Sequence, residues 1–267
     1  MREVSEPVDR RRISFSVERI LHFANFFACF VEKLSSQFVE LVVHLVRPEK
    51  RRVCTRYAAE YYCAVLLIPR AEFSIEEPWS VSPQCVAAPL HRSTNGTDPR
   101  LPTKVAAYFD DERLTVIFTG IDDDVIATYR DHDAPLYEED VVEIFLAPDK
   151  ITRYFEIEVN PLGTTFDAVI DSRDGVRATM RADLGWTCHG LFAAIRRDGD
   201  VVDTVIRIPF ASLERERPVD GETWRGNFFR IDRGRSAADE FSAWRPTMKD
   251  PPDFHVAAAF GELRFSQ

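Results

Sequence analysis

The chain has 267 residues, of which 45% are hydrophobic and 29% charged, an ordinary composition for a globular protein with a sizeable core. This length allows one large all-β domain, or a domain of about 150–200 residues with an extension. The formal net charge of −10 argues against a nucleic-acid partner, because a surface that binds phosphates must be basic. An acidic surface is compatible with neutral sugars or with calcium.

Residues 1–58 differ from the remainder of the chain in the spacing of their apolar residues. Apolar residues recur there at helical spacing, and neither Gly nor Pro interrupts the segment between Arg12 and Pro48, so we predict a helical N-terminal extension. Its longest uncharged run, Ile20–Val31, is too short to span a bilayer. The run has the length of a signal-peptide core but begins late and lacks a small-residue cleavage site, so we expect no signal peptide. A packed or interfacial helix, a cryptic signal or anchor, and a start codon placed too early remain as alternatives.

From Tyr61 onward, short apolar runs alternate with turn residues, which predicts strands. The candidate strands are YYCAVLLI, KVAAYFD, RLTVIFTG, DVVEIFLA, RYFEIEVN, TTFDAVID, VRATMRAD, LFAAIRRDG, VVDTVIRI, WRGNFFRID, EFSAWRP and GELRF. Turn signals separate them by roughly 8–12 residues, as in an antiparallel sandwich. We therefore predict an all-β fold over residues 59–267, an antiparallel two-sheet β-sandwich of jelly-roll or immunoglobulin-like type. The one helix expected in it is a turn or two at Ala211–Glu214.

Two consecutive runs, DVVEIFLA and RYFEIEVN, each divide into an apolar row and a second face, because successive strand side chains point to opposite sides. The rows predicted to enter the core are Val142, Ile144, Leu146, Phe155, Ile157 and Val159. The opposite faces carry Glu143, Glu156, Glu158 and Asn160. If the two strands are neighbours, these side chains line one open surface that offers mostly acceptors, which suits sugar hydroxyls or a hard cation. An ordinary solvated sheet face is the alternative.

Aromatic residues lie near the ends of this polar face. Tyr137 precedes the first of the two strands, and Trp244 follows a later strand and precedes a proline. Sugar recognition generally joins flat aromatic rings, which contact the C–H face of a pyranose, to polar groups at its rim. Trp79 and Trp224 are assigned to the core, because a lone Trp is more often buried than a ligand platform.

Over about residues 61–265 the sequence resembles the family 9 carbohydrate-binding modules and their relatives in the DOMON-like group. The segments that carry the resemblance are I-x-x-P-W at Ile75–Trp79, VAAYFDDERLTVIF, EEDVVEIFLAP, YFEIEVNPLGTTFD, RIPF, WRGNFFR, SAWRPT and FHVAAAFGELRF. The resemblance implies a β-sandwich that clamps a sugar between two aromatic side chains, with polar residues at the rim and calcium nearby. It also suggests a periplasmic or extracellular role.

Carried over by position, the resemblance implies a non-catalytic module that holds a sugar or a polysaccharide end between Tyr137 and Trp244. Glu143, Glu158 and Asn160 would form the floor of this ligand-binding cleft. The sequence departs from the family pattern at Tyr137, where a Trp can stand in the family, and at Val205, where an acidic residue is frequent. The smaller ring of Tyr137 implies weaker binding or a different specificity.

Three alternatives to sugar binding follow from the same residues. A haem-binding version of the fold would use Met and Lys or His ligands, and Met248, Lys249 and His255 supply those residue types. A glycoside hydrolase needs two carboxylates, but carboxylates in a row on an open sheet lack the apolar pocket that raises a pKa for acid catalysis. The sequence also lacks G-x-S-x-G, GKS or GKT and H-E-x-x-H motifs, so we expect no enzyme. A structural or interaction module without a ligand is the third alternative.

Calcium is the only metal that the sequence suggests. The candidates are the acidic runs Asp110–Glu112 and Asp122–Asp124, with hairpin turns as the alternative. The five cysteines are scattered and form no C-x-x-C pair. Free buried thiols are expected, with one Cys63–Cys85 bridge as the alternative.

Overall fold

The computed structural model describes residues 65–80, 82–235 and 237–267. The helical extension predicted for residues 1–58, and Cys63, lie outside the described residues. Cys85 and Cys188 are free thiols. Within the described ranges, no helix is long and apolar enough to cross a bilayer.

The described residues form strands joined by turns and by short 3-10 helices. The strands are β1 (Val65–Pro69), β2 (Ala88–Pro89), β3 (His91–Arg92), β4 (Thr103–Phe109), β5 (Arg113–Ile121), β6 (Val141–Ala147), β7 (Arg153–Val159), β8 (Thr165–Ser172), β9 (Met180–Asp183), β10 (Phe192–Asp198), β11 (Val201–Pro209), β12 (Thr223–Asp232), β13 (Glu240–Ala243) and β14 (Gly261–Ser266). The 3-10 helices are Leu136–Glu138, Arg177–Thr179, Phe210–Leu213 and Ala257–Ala259. The helical turn predicted at Ala211–Glu214 is therefore present, shifted by one residue, but the expectation of a single helix is wrong, because three other short 3-10 helices occur among the described residues.

The strands form two sheets, as the regular spacing of the turns predicted. The larger sheet has nine strands, with the order β1-β14-β12-β6-β7-β8-β9 and with β13 bridging β12 to β3. The smaller sheet has five strands in the order β10-β11-β5-β4-β2. Neighbouring strands are antiparallel apart from the parallel pair of β1 with β14. The predicted all-β sandwich is confirmed for the described part of the chain.

The main core lies between the two sheets. The predicted rows of β6 and β7 enter it: five of those side chains are fully buried there, and Val142 packs against them partly buried. They share this core with β4, β5 and β11, which contribute Val105, Val116 and Ile206. Trp224 is also buried in the core, as predicted, with its ring 4.8 Å from that of Phe265. Alternation on these strands therefore predicted the register correctly.

The outer face of the larger sheet is covered by a second apolar cluster. Phe145 and Tyr154 project to this side, and Phe260, from the segment before β14, packs against both rings. The phenylalanine ring of Phe254 stacks on that of Phe229 at 4.2 Å. The prediction of an open acidic surface is therefore wrong, because the C-terminal segment buries this face of the sheet.

Candidate functional site

Three glutamates from β6 and β7 meet on the covered outer face of the larger sheet. Glu143 pairs across the strands with Glu158, and Glu156 pairs with Phe145 two positions further along the same face. The exposed fractions of Glu143, Glu156 and Glu158 are 3%, 6% and 1%. One carboxylate oxygen of each lies within 4.8 Å of the others. We call this set the glutamate floor.

Burial raises the pKa of all three carboxyl groups. The pKa of Glu143 lies well above its ordinary range because the side chain is desolvated and because Glu156 is close. Burial raises the pKa of Glu156 to about 8, although a side-chain hydrogen bond with Glu158 lowers it in part. Desolvation also raises the pKa of Glu158, and the negative charges of Glu143 and Glu156 raise it further. The three groups therefore disfavour one another's negative charge, and Glu156 keeps its proton at neutral pH unless a positive group joins them.

The glutamate floor opens into a cleft of about 520 Å³. The aromatic side chains that line the cleft are Tyr137, Phe166, Phe241 and Phe254. Tyr137 is 47% exposed, and its ring meets that of Phe166 edge to face at 6.5 Å. The cleft therefore combines flat apolar surfaces with acidic acceptors in a volume that suits a small ligand.

Two arginines line the same cleft. Arg233 lies over the ring of Phe241 at 5.2 Å and also donates a hydrogen bond to the backbone carbonyl of Tyr137. Its guanidinium pairs with Asp239 at 2.7 Å. Arg177 likewise pairs with Asp253 at 2.7 Å. Both guanidinium groups thus have carboxylate partners outside the glutamate floor.

His255 closes one side of the cleft as a neutral side chain. Its Nδ1 lies 2.8 Å from the hydroxyl of Tyr154, and its ring lies 5.1 Å from that of Phe145. Burial, with a smaller effect of nearby Arg177, lowers the pKa of His255 to about 4. The imidazole Nε2 is 3.8 Å from Glu156, but a neutral ring does not compensate that carboxylate.

The cleft contains three of the five residues predicted to bind ligand. Tyr137, Glu143 and Glu158 all line it. Asn160 is buried at the end of β7, where its Oδ1 accepts the backbone N–H groups of Leu162 and Thr164 and so shapes the turn into β8. The prediction that Asn160 forms part of the ligand floor is therefore wrong, because its acceptor is used inside this turn.

Trp244 belongs to the main core and not to the cleft. Only 3% of it is exposed, and its ring packs 5.8 Å from that of Phe228 between the sheets. Its indole also fills the space beside Gly261, where an added Cβ would come within 2.4 Å of the ring. The prediction of a clamp between Tyr137 and Trp244 is therefore wrong. Trp244 immediately follows β13, and its backbone N–H donates a hydrogen bond to the backbone carbonyl of Phe228. This pairing continues the strand by one residue and directs the indole towards the core.

The cleft side chains that the sequence did not predict include three aromatic residues and two arginines, namely Phe166, Phe241, Phe254, Arg177 and Arg233. Phe241 lies in the strand that was correctly predicted around Trp244, but on the opposite face. Phe254 follows the Pro251-Pro252 pair in a segment without strand periodicity. The available signal was that Phe254 begins the FHVAAAFGELRF segment, one of those that carry the family resemblance.

The acidic runs proposed for calcium have other partners. Asp110 caps the hairpin between β4 and β5, accepting the backbone N–H groups of Glu112 and Arg113, and also pairs with Arg207. Asp122 is buried beside Arg230 at 3.4 Å. Among the described residues, the sets that could hold an ion are the glutamate floor and a second group formed by His132, Asp133 and Asp167. The two predicted runs thus do not fit a calcium site.

Comparison with solved structures finds the same fold in carbohydrate-binding proteins. A candidate carbohydrate-binding protein from Bacteroides uniformis aligns with a TM-score of 0.59 and 19% identity, over 76% of this chain and 99% of that one. A family 9 module from Caldicellulosiruptor kristjanssonii in complex with glucose gives a TM-score of 0.55 and 16% identity, over 76% and 95% of the two chains. A family 9 module from the same organism in complex with cellotriose gives a TM-score of 0.54 and 15% identity, over 76% of this chain and 93% of that one.

A comparison with curated protein sequences found no match. The model of carbohydrate-binding family 9, in contrast, matches residues 95–265, which include strands β4 to β13, most of β14 and every residue of the cleft. This is a family of non-catalytic carbohydrate-binding modules. By this match over most of its length, the chain belongs to carbohydrate-binding family 9.

Proposed function

We propose that the cleft above the glutamate floor binds a single sugar or the end of a polysaccharide. The observation that carries the proposal is the half-exposed ring of Tyr137, which stands in a cleft of about 520 Å³ beside three buried carboxyl groups. Small-molecule sites typically have volumes of roughly 300–1,000 Å³ and place a few polar groups among apolar walls. Membership of family 9 supports the same ligand class.

The side chains of the cleft divide the recognition of a sugar between them. The half-exposed ring of Tyr137 offers apolar surface to the C–H bonds of a pyranose, and Phe254, which is 7% exposed, adds part of the apolar wall. The glutamate floor accepts hydrogen bonds from hydroxyl groups, and Arg177 can donate to ring or hydroxyl oxygens. This arrangement replaces the predicted partner Trp244 with Phe254 as the second aromatic side chain.

The same geometry argues against hydrolysis, although for a different reason from the one that the sequence suggested. The sequence argument assumed exposed carboxylates with ordinary pKa values. In the structure the three carboxyl groups are buried and have raised pKa values, so that argument fails. However, all three project from adjacent strands on one side of the cleft. A glycosidase needs its two carboxyl groups flanking the scissile bond. We therefore propose binding without turnover.

A glycan array probed with the full chain, followed by calorimetry with glucose and cellotriose, tests the proposal. We expect saturable binding of at least one soluble sugar and no release of reducing ends during prolonged incubation. An absorbance scan of the purified protein tests the haem-binding alternative, which predicts a Soret band. Absence of binding to any glycan would contradict the proposal and leave a structural or interaction module.

A further inference from the structure

The glutamate floor has no positive partner of its own among the described residues. The two guanidinium groups in the cleft pair with other carboxylates, Arg177 with Asp253 and Arg233 with Asp239. His255 approaches Glu156 but is neutral. Buried carboxylates are normally paired or bound to a cation, because an isolated buried charge is costly. Without a cation, burial favours the protonated forms of these carboxyl groups, so a cationic ligand can take the place of their protons.

Glu158 gives a second, independent indication that the glutamate floor lacks a hydrogen-bond donor. Its Oε2 is buried and has no hydrogen-bond partner, although the residue is only 1% exposed and lines the cleft. An unsatisfied buried acceptor costs about 1–3 kcal/mol, and more when it is charged. A donor supplied by a ligand would remove this cost, so the position of the orphaned oxygen indicates where a ligand group belongs.

We infer that the cleft selects a protonated amino sugar, whose ammonium group sits on the glutamate floor and donates one hydrogen bond to each of Glu143, Glu156 and Glu158. This inference rests on the proposed sugar-binding function and names its ligand class. An ammonium group has three donors and no acceptor, which matches three carboxylates one to one. Charge-assisted bonds of about 2.7–2.9 Å place three acceptors around one tetrahedral nitrogen roughly 4.4–4.7 Å apart. The three glutamate oxygens lie within 4.8 Å of one another, an upper bound that admits this arrangement.

A bound divalent ion explains the cleft less completely. Calcium takes about six to eight oxygen ligands at about 2.3–2.6 Å, so it would need most of the carboxylate oxygens of the floor. The phenylalanine rings that line the cleft, Phe166 and Phe254, offer no ligand atom to such an ion. An amino sugar uses both parts of the site, because its ring faces the aromatic surfaces and its ammonium group faces the carboxylates.

Titration calorimetry of the full chain with glucosamine, glucose and N-acetylglucosamine tests the inference, since these sugars share a ring and differ at one substituent. We expect glucosamine to bind at least about tenfold more tightly than the two neutral sugars, a difference of about 1.4 kcal/mol. Each titration is repeated with a chelator and with added calcium, and the preference should be the same in both.

Glu158→Gln keeps the shape of the side chain and removes its charge. We expect the ratio of glucosamine to glucose affinity to fall to near one in this variant, with the melting temperature retained or raised. Glu214→Gln is the matched control, because Glu214 pairs with Arg153 outside the cleft. It should leave the ratio unchanged.

Equal affinity for glucosamine and glucose would overturn the inference and leave the proposed sugar binding intact. A requirement for calcium in sugar binding would also overturn it, in favour of a metal on the glutamate floor. Failure of every sugar to bind would instead overturn the proposed function itself.

Discussion

Glu143 on β6 lies directly opposite Glu158 on β7, on a sheet face that the segment before β14 covers. Like charges at directly opposed strand positions destabilise a sheet, and burial increases the penalty. Residues chosen only for stability would not be expected here. The pair is consistent with a site whose carboxylates are completed by a ligand, as family 9 membership leads us to expect.

The glutamate floor should make the stability of the protein fall as the pH rises. The pKa of Glu156 is raised from 4.5 to about 8 in the folded state, so between these values the folded chain holds more protons than the unfolded chain. The free energy of unfolding therefore decreases through this window. Glu156→Gln should flatten the curve and raise stability at pH 8 by at least about 1 kcal/mol, or about 2–4 °C in melting temperature.

Thermal melts of both proteins between pH 5 and pH 8.5 would measure this effect. Glu214→Gln serves as the control, because the hydrogen bond from Arg153 lowers the pKa of that exposed carboxyl group. The effect of Glu214 on stability changes below about pH 4.5, where its carboxyl group titrates. Between pH 5 and pH 8.5, the stability curve of Glu214→Gln should therefore run parallel to that of the unmodified chain. A Glu156→Gln curve that is equally parallel would show that Glu156 has an ordinary pKa.

Tyr137→Ala should weaken sugar binding at least about tenfold, which corresponds to about 1.4 kcal/mol. The side chain is 47% exposed at the cleft, so its loss removes ligand contact while the folded state keeps nearly all of its packing. Phe192→Ala is the matched control, since Phe192 is 43% exposed on β10 of the other sheet. If both variants bind as tightly as the parent, the ligand lies elsewhere.

Trp244→Ala should destabilise the protein by about 3–5 kcal/mol, because it leaves a cavity between the sheets beside Phe228 and Gly261. Denaturant unfolding monitored by circular dichroism would measure the loss. The milder Trp244→Phe should stay folded and bind sugar within about twofold of the parent. A strong loss of affinity in Trp244→Phe without a loss of stability would restore Trp244 to the ligand site.

Removing residues 1–58 should leave a cooperatively folding domain, because the sequence texture changes near Lys50 and the described strands begin at Val65. We expect the melting temperature of residues 59–267 to stay within about 3 °C of that of the full chain. A shorter form that begins after Pro69 provides the contrast. It lacks β1, whose Leu66 and Ile68 are buried and whose backbone pairs with β14, so it should be strongly destabilised. Aggregation of both forms would contradict the predicted domain boundary.

The core rows of β6 and β7 could be predicted from the sequence because strand alternation is a local property. Ile144 and Ile157 need only their neighbours along the chain to be assigned to one face, and register follows when that face is buried. The same alternation correctly placed Glu143 and Glu158 on the opposite face. It did not show what lies above them.

What covers that face was decided by tertiary structure alone. Phe254 reaches the glutamate floor from more than ninety positions along the chain, a contact without a local sequence signature. For the same reason, Trp244 and Phe241 look alike in the sequence: each is an aromatic residue in or beside one short strand. One packs between the sheets and the other lines the cleft, because β13 presents opposite faces to the two clusters. Sequence alternation thus determined which residues share a face, and long-range packing determined whether a face became core or binding site.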